Sequence, residues 1–162
     1  MTHQDKKTYQ VAVHFLANLE TINAVDVKIF SRFHNDTAVQ HCAAGYQIIE
    51  QELCLARYDR LMIQVGSLGN MSEMRNNIRL EGIVVDGIDL NPHNVHLGRQ
   101  YPDHTLFKHR NPVEYYEPGT HFDFAGVYEL DIETPIWRYA LYAFTRLSPY
   151  RESLYTSNND VS

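Results

Sequence analysis

The sequence predicts an α+β fold: a mainly antiparallel sheet, one long central helix and a long, ordered loop rich in aromatics and histidine. Three observations predict it. A helical apolar stripe runs through residues 37–56. Two apolar runs flank Asp86-Gly87, the signature of a two-residue hairpin. Five of the nine histidines and four of the six prolines then fall between Asn91 and Gly126, in a stretch with little hydrophobic period.

Residues 8–22 place Val11, Phe15, Leu16, Leu19 and Ile22 on one helical face. Val11, Val13 and Phe15 also alternate, so helix and strand both stand. Val25, Val27 and Ile29 alternate with Asp26, Lys28 and Phe30 and predict a strand over 25–33. The central helix takes Asp36 or Thr37 as its cap. Its stripe is Val39, Cys42, Ala43, Tyr46, Ile49, Leu53 and Ala56, with Gly45 costing about 1 kcal/mol relative to alanine. Leu61 to Val65 form a short strand that ends at the Gly66–Asn70 loop, and Ser72 caps a turn of helix through Asn77. Ile78 to Val85 and Ile88 to Leu90 are the arms of the hairpin.

Tyr101, Phe107, Tyr115, Tyr116, Phe122 and Phe124 argue that residues 91–126 are ordered, since disordered segments are poor in aromatics. A strand follows over Phe124 to Ile132. Thr134-Pro135 reads as a helix start with Ile136, Ala140, Ala143, Phe144 and Leu147 inward. Trp137, Tyr139, Tyr142, Phe144 and Thr145 tip the balance to a strand over 136–147. Residues 1–162 are expected to form a single globular domain with a loose tail over 148–162.

The formal charge of −6 and pI near 5.8 make nucleic acid an unlikely partner for the chain as a whole. No run approaches the 18 or so apolar residues of a membrane span, and the N-terminus opens no signal-type apolar run. The expectation is a cytoplasmic protein, or one of a host cytoplasm or virion. Cys42 and Cys54, three helical turns apart at ~18 Å on this reading, lie too far apart to pair.

Four constellations carry possible chemistry. His93, His96, His104, His121 and Asp123 supply imidazoles and a carboxylate for a divalent metal (zinc, iron or manganese). Arg57, Arg60, Arg75 and Arg79 surround the Gly66–Asn70 loop and form a candidate anion site. Pairing with Asp59, Glu73 and Glu81 is the ordinary alternative. Tyr101, Tyr115, Tyr116 and Phe122 are candidate anchors for a protein partner or for self-association. Neither cysteine, nor Ser67 after Gly66, sits in a nucleophile motif.

Gly119-Thr120-His121-Phe122-Asp123 resembles part of the motif of the cyclase and kynurenine-formamidase family of metal-dependent amidohydrolases. The resemblance covers these five residues. Glu117, Ala125 and Val127 stand where that family carries histidine, proline and histidine, so only His121 and Asp123 would carry over as ligands.

No catalytic motif is complete, while tyrosines are abundant. The leading expectation is a non-enzymatic protein-interaction or assembly protein, a viral or bacterial structural or accessory subunit. The alternative is a small metal-dependent hydrolase or lyase that uses the histidine-rich segment 93–123.

Overall fold

The computed structural model describes residues 6–69, 75–90, 95, 98–102, 117, 118, 120–137 and 139. These residues build a β-sandwich, and the α+β prediction is overturned. The strands are β1 (Lys7–Leu19), β2 (Ala24–Ser31), β3 (Gln40–Ala43), β4 (Gly45–Leu55), β5 (Tyr58–Val65), β6 (Asn76–Val85), β7 (Ile88–Leu90), β8 (Arg99–Pro102), β9 (Glu117–Pro118), β10 (His121–Phe122) and β11 (Gly126–Glu133). One sheet runs β10-β6-β1-β4, with β7 also on β6. The other runs β3-β2-β5-β11-β8-β9. All the pairings are antiparallel.

The segment expected to be a long helix is instead two strands in different sheets. Gly45, at φ 98°, makes the corner between β3 and β4. Thr37 caps nothing; its hydroxyl donates to the Ile29 carbonyl at 2.7 Å. The burial in β4 has period two: Ile49, Leu53 and Leu55 face the core, with half-buried Gln47 and Gln51 between them. Polar glutamines at inward positions, and apolar Tyr46 and Ile48 at outward ones, disguised that alternation as a helical stripe. The same contest in β1 goes to the strand, with Val11, Val13, Phe15 and Ala17 inward.

The sandwich core is apolar and drawn from both sheets. Phe15, Leu53, Leu55, Ile78 and Ile83 come from one; Ile29, Leu61, Ile63 and Tyr128 come from the other. Asp86 at φ 48° and Gly87 at φ 78° turn the predicted hairpin, whose arms are β6 and β7. Cys42 is buried and Cys54 half-buried. Both thiols are free, and burial pushes the Cys42 thiol up to about 11. That value leaves it protonated and unreactive at neutral pH.

Within the histidine-rich segment the described residues include three short strands: β8 lies between β11 and β9, β9 closes the margin of the larger sheet, and β10 lies on β6 in the smaller one. After the Thr134-Pro135 bond the chain turns helically, and the Tyr139 N–H donates to the Pro135 carbonyl at 3.4 Å. This start departs from the expected strand. The rest of 136–147 and the expected tail lie outside the described residues. Among the described residues no helix is long and apolar enough to cross a membrane.

Candidate binding face

Strand alternation sends every second side chain of β1, β4 and β6 away from the core. On most sandwiches that outer face is polar. Here it is not. Register sets His121, Arg79, Leu16 and Tyr46 in one row across β10, β6, β1 and β4. The next row is Gly82, His14 and Ile48; the one after is Val84, Ala12 and Glu50. Tyr46 is 58% exposed and Ile48 49%. Leu16, Ala12 and Val84 are half-buried beside them. Gly82 keeps the strand low, with open space where a side chain would stand.

Hydrogen bonding fixes this surface. His14 Nδ1 and the Tyr46 hydroxyl share a hydrogen bond, and the two rings meet edge to face at 5.8 Å between centroids. The Nε2 atom of His14 has no partner among the described residues. Arg79 holds Glu81 through Nε at 3.0 Å and Nη2 at 2.9 Å. Asn18 donates to Asn77 at 3.3 Å, and Gln10 donates to Glu52 at 3.0 Å. The result is an apolar strip with one exposed ring, rimmed by planar polar groups already oriented by their neighbours.

The predicted site residues are scattered by comparison. His121 Nε2 and Asp123 Oδ1 lie 3.0 Å apart as an exposed pair, with Arg79 directly across from His121. A cation in that place opposes a second one. No group of three metal-ligating side chains occurs among the described residues. His93, His96 and His104 lie outside the described residues, as do Tyr115 and Tyr116. Phe122 is fully buried and packs into the core rather than anchoring a partner. Tyr101 is half-buried on the outer face of the other sheet, opposite Val127.

The four arginines do not converge. Arg57 and Arg60 sit at the start of β5, about 20 Å of strand from the glycine loop at its other end. Arg79 projects from the opposite sheet and pairs with Glu81, one of the carboxylates named for it. Arg75 is exposed at the start of β6. Arg60 donates to Asp131 at 2.8 Å, and Arg99 reaches the same carboxylate at 3.0 Å.

Partial burial alone would raise the Asp131 carboxyl. The hydrogen bond and charge of Arg60, joined by Arg99, outweigh it and hold the group below its ordinary value. A carboxyl depressed on folding stabilises above its unfolded pKa and loses that contribution as pH falls through the folded one. Asp131→Asn is therefore expected to cost ~1 kcal/mol or less near neutrality, because the pair is exposed. The gap from wild type should shrink in urea melts taken from about pH 6 down to about pH 3. A gap independent of pH would contradict this account.

Sequence reasoning missed the binding face. The available signal was the placement of Leu16, Tyr46 and Ile48 at positions that a strand reading makes outward. Reading 37–56 as a helix concealed it.

No family model and no curated protein matches the chain. Among solved structures it is similar to a carbohydrate-binding module, vCBM60 in complex with galactobiose. The TM-score is 0.46 at 9% identity, over 76% of this chain and 99% of that one. It is similar also to the selenomethionine form of vCBM60, described with two families of calcium-dependent carbohydrate binding modules linked by circular permutation. There the TM-score is 0.46 at 11% identity, over 75% of this chain and 89% of that one. Likeness at this level carries no argument about ligand, so the functional reading rests on the chain's own residues.

Proposed function

We propose that this chain is a non-catalytic binding module that takes a neutral sugar chain on the outer face of the β10-β6-β1-β4 sheet. The observation that carries the reading is the exposed Tyr46 ring beside Leu16 and Ile48, rimmed by His14, Asn18, Asn77, Arg79 and Glu81. A pyranose has an apolar face of C–H groups and a rim of hydroxyls that both donate and accept. An aromatic ring takes the first, and fixed planar polar groups take the second. The side chains on this face are held by one another before any ligand arrives, which lowers the ordering cost of binding.

The test is calorimetric titration with a panel of neutral oligosaccharides, repeated on Tyr46→Ala and Asn77→Ala. At least one oligosaccharide is expected to bind, and Tyr46→Ala to weaken it about tenfold or more, equivalent to ~1.4 kcal/mol. Asn77→Ala should weaken it less. If no sugar binds, or if Tyr46→Ala binds as wild type does while melting at the same temperature, the proposal fails.

A further inference from the structure

A second surface lies at the other end of the sandwich. Tyr46 opens β4 and Arg57 follows its end, so the two are separated by roughly 30 Å of strand. Around Arg57 the chain collects cations and exposed rings. Lys6 Nζ stands 5.3 Å from the centroid of Phe33, and Arg32 Cζ stands 4.6 Å from the same ring. Arg32 Nη2 donates to the Tyr58 carbonyl at 3.1 Å, and Arg57 Cζ lies 5.2 Å from the Tyr58 ring. Further along β2, Lys28 Nζ lies 5.2 Å from the Phe30 ring. Lys28 and Phe30 face outward from β2, and Arg32 continues the strip for about 13 Å along the strand.

The charge is out of place in two ways. The chain carries 20 acidic and 14 basic residues, yet Lys6, Lys28, Arg32 and Arg57 have no carboxylate in ion-pair range among the described residues. Arg60, Arg79 and Arg99 all have one. Two cations also share the Phe33 ring, an arrangement whose mutual repulsion an anion would relieve. Phe33 is 44% exposed and Tyr58 51%. Clustered cations with no ion-pair partner among the described residues, interleaved with open rings, fit a ligand that alternates phosphates with flat bases. Guanidinium planes and aromatic rings both stack on bases, while duplexes hide theirs.

We infer that this strip, from Lys28 through Arg32 and Phe33 to Arg57, binds a single strand of nucleic acid. The overall negative charge limits the contact to this strip and keeps the affinity salt-sensitive.

The experiment is fluorescence anisotropy of labelled single-stranded oligo-dT and oligo-U with the full chain, across a salt series. Single strands give a slope of log affinity against log salt of ~0.7 per phosphate contact, so four cations predict a slope near −3. Arg32→Ala and Arg57→Ala are each expected to reduce the slope by ~0.7. Phe33→Leu should weaken binding severalfold at every salt concentration and leave the slope alone. All three positions are exposed, and melting curves check that each variant folds.

Absence of binding at low salt overturns the inference. So does equal affinity for a duplex of the same length, or an unchanged affinity in Phe33→Leu, since either would reduce the strip to an unselective polyanion surface. Binding of a sulfated polysaccharide with the same dependence on Phe33 would overturn it as well. The Tyr46→Ala variant should bind the oligonucleotides normally, which separates failure here from failure of the sugar-binding face.

Discussion

Gly98→Ala is expected to destabilise the protein by ~3 kcal/mol or more, a loss of about 10 °C in melting temperature for a chain of this size. Gly98 is buried, and its N–H donates to the Val95 carbonyl at 3.2 Å. The Tyr128 hydroxyl donates to that same carbonyl from β11. Tyr128 is fully buried, and its phenol is pushed well above the ordinary tyrosine range by burial, with a smaller contribution from Tyr139. A Cβ on Gly98 would overlap the Tyr128 ring itself. The ring is enclosed in the core, so the strain falls on the backbone around residue 98 or on β11.

Three further variants separate overlap from hydrogen bonding. Tyr128→Phe keeps the ring and removes one of two donors to Val95, which should cost only ~1 kcal/mol. Tyr128→Leu combined with Gly98→Ala should cost less than the sum of the two alone, because the smaller side chain makes room for the methyl. Urea unfolding of the four proteins measures this. A Gly98→Ala protein within ~0.5 kcal/mol of wild type would show that the glycine is dispensable.

Asn76→Leu is the second large effect, expected at ~3 kcal/mol or more. The Asn76 amide is buried at the start of β6, and all four of its hydrogen-bonding positions are filled. Its oxygen accepts from the Glu20 N–H at 2.8 Å and the Thr21 N–H at 3.0 Å. Its nitrogen donates to the Leu68 carbonyl at 2.8 Å and to the Thr21 hydroxyl. One side chain thus ties the β1–β2 turn to the segment after β5. A leucine leaves the buried Leu68 carbonyl and the part-buried Glu20 and Thr21 N–H groups without that partner.

Asn76→Asp keeps the shape but turns an oxygen toward the Leu68 carbonyl. It should also be strongly destabilised at neutral pH and partly relieved in acid, where a protonated carboxyl donates again. Denaturation midpoints at two pH values decide it. A leucine variant of near-native stability would mean water replaces the amide.

The parts of the fold legible in sequence were those in which local chemistry and tertiary environment agree. Asp86-Gly87 specifies its own turn, and β2 and β5 alternate cleanly because only one face is buried. The β4 strand was illegible because Gln47 and Gln51 point inward while Tyr46 and Ile48 point out. Local pattern and burial disagree there, and the disagreement coincides with the candidate face. The short strands β8 to β10 carry too few residues for any period. The cation–aromatic strip was equally hidden, because Lys6, Arg32 and Arg57 are far apart in sequence and meet only when β1, β2 and β5 are assembled.

The chain passes directly between the sheets on both flanks of the sandwich. At Ala44 and Gly45 it leaves β3, at one margin of the larger sheet, and enters β4, at the margin of the smaller one. On the far flank, β9 ends at Pro118 on the margin of the larger sheet, and β10 begins at His121 on the margin of the smaller one. Each lateral seam is therefore stitched by covalent backbone. Even the margin of β4 is partly covered, since the Gln40 side chain donates to the Glu50 carbonyl at 2.9 Å. Exposed strand margins invite other chains to add themselves to a sheet, in amyloid and in swapped dimers alike. A sandwich sewn at both seams resists that route, and directs encounters with other molecules to side chains on its broad faces and its ends.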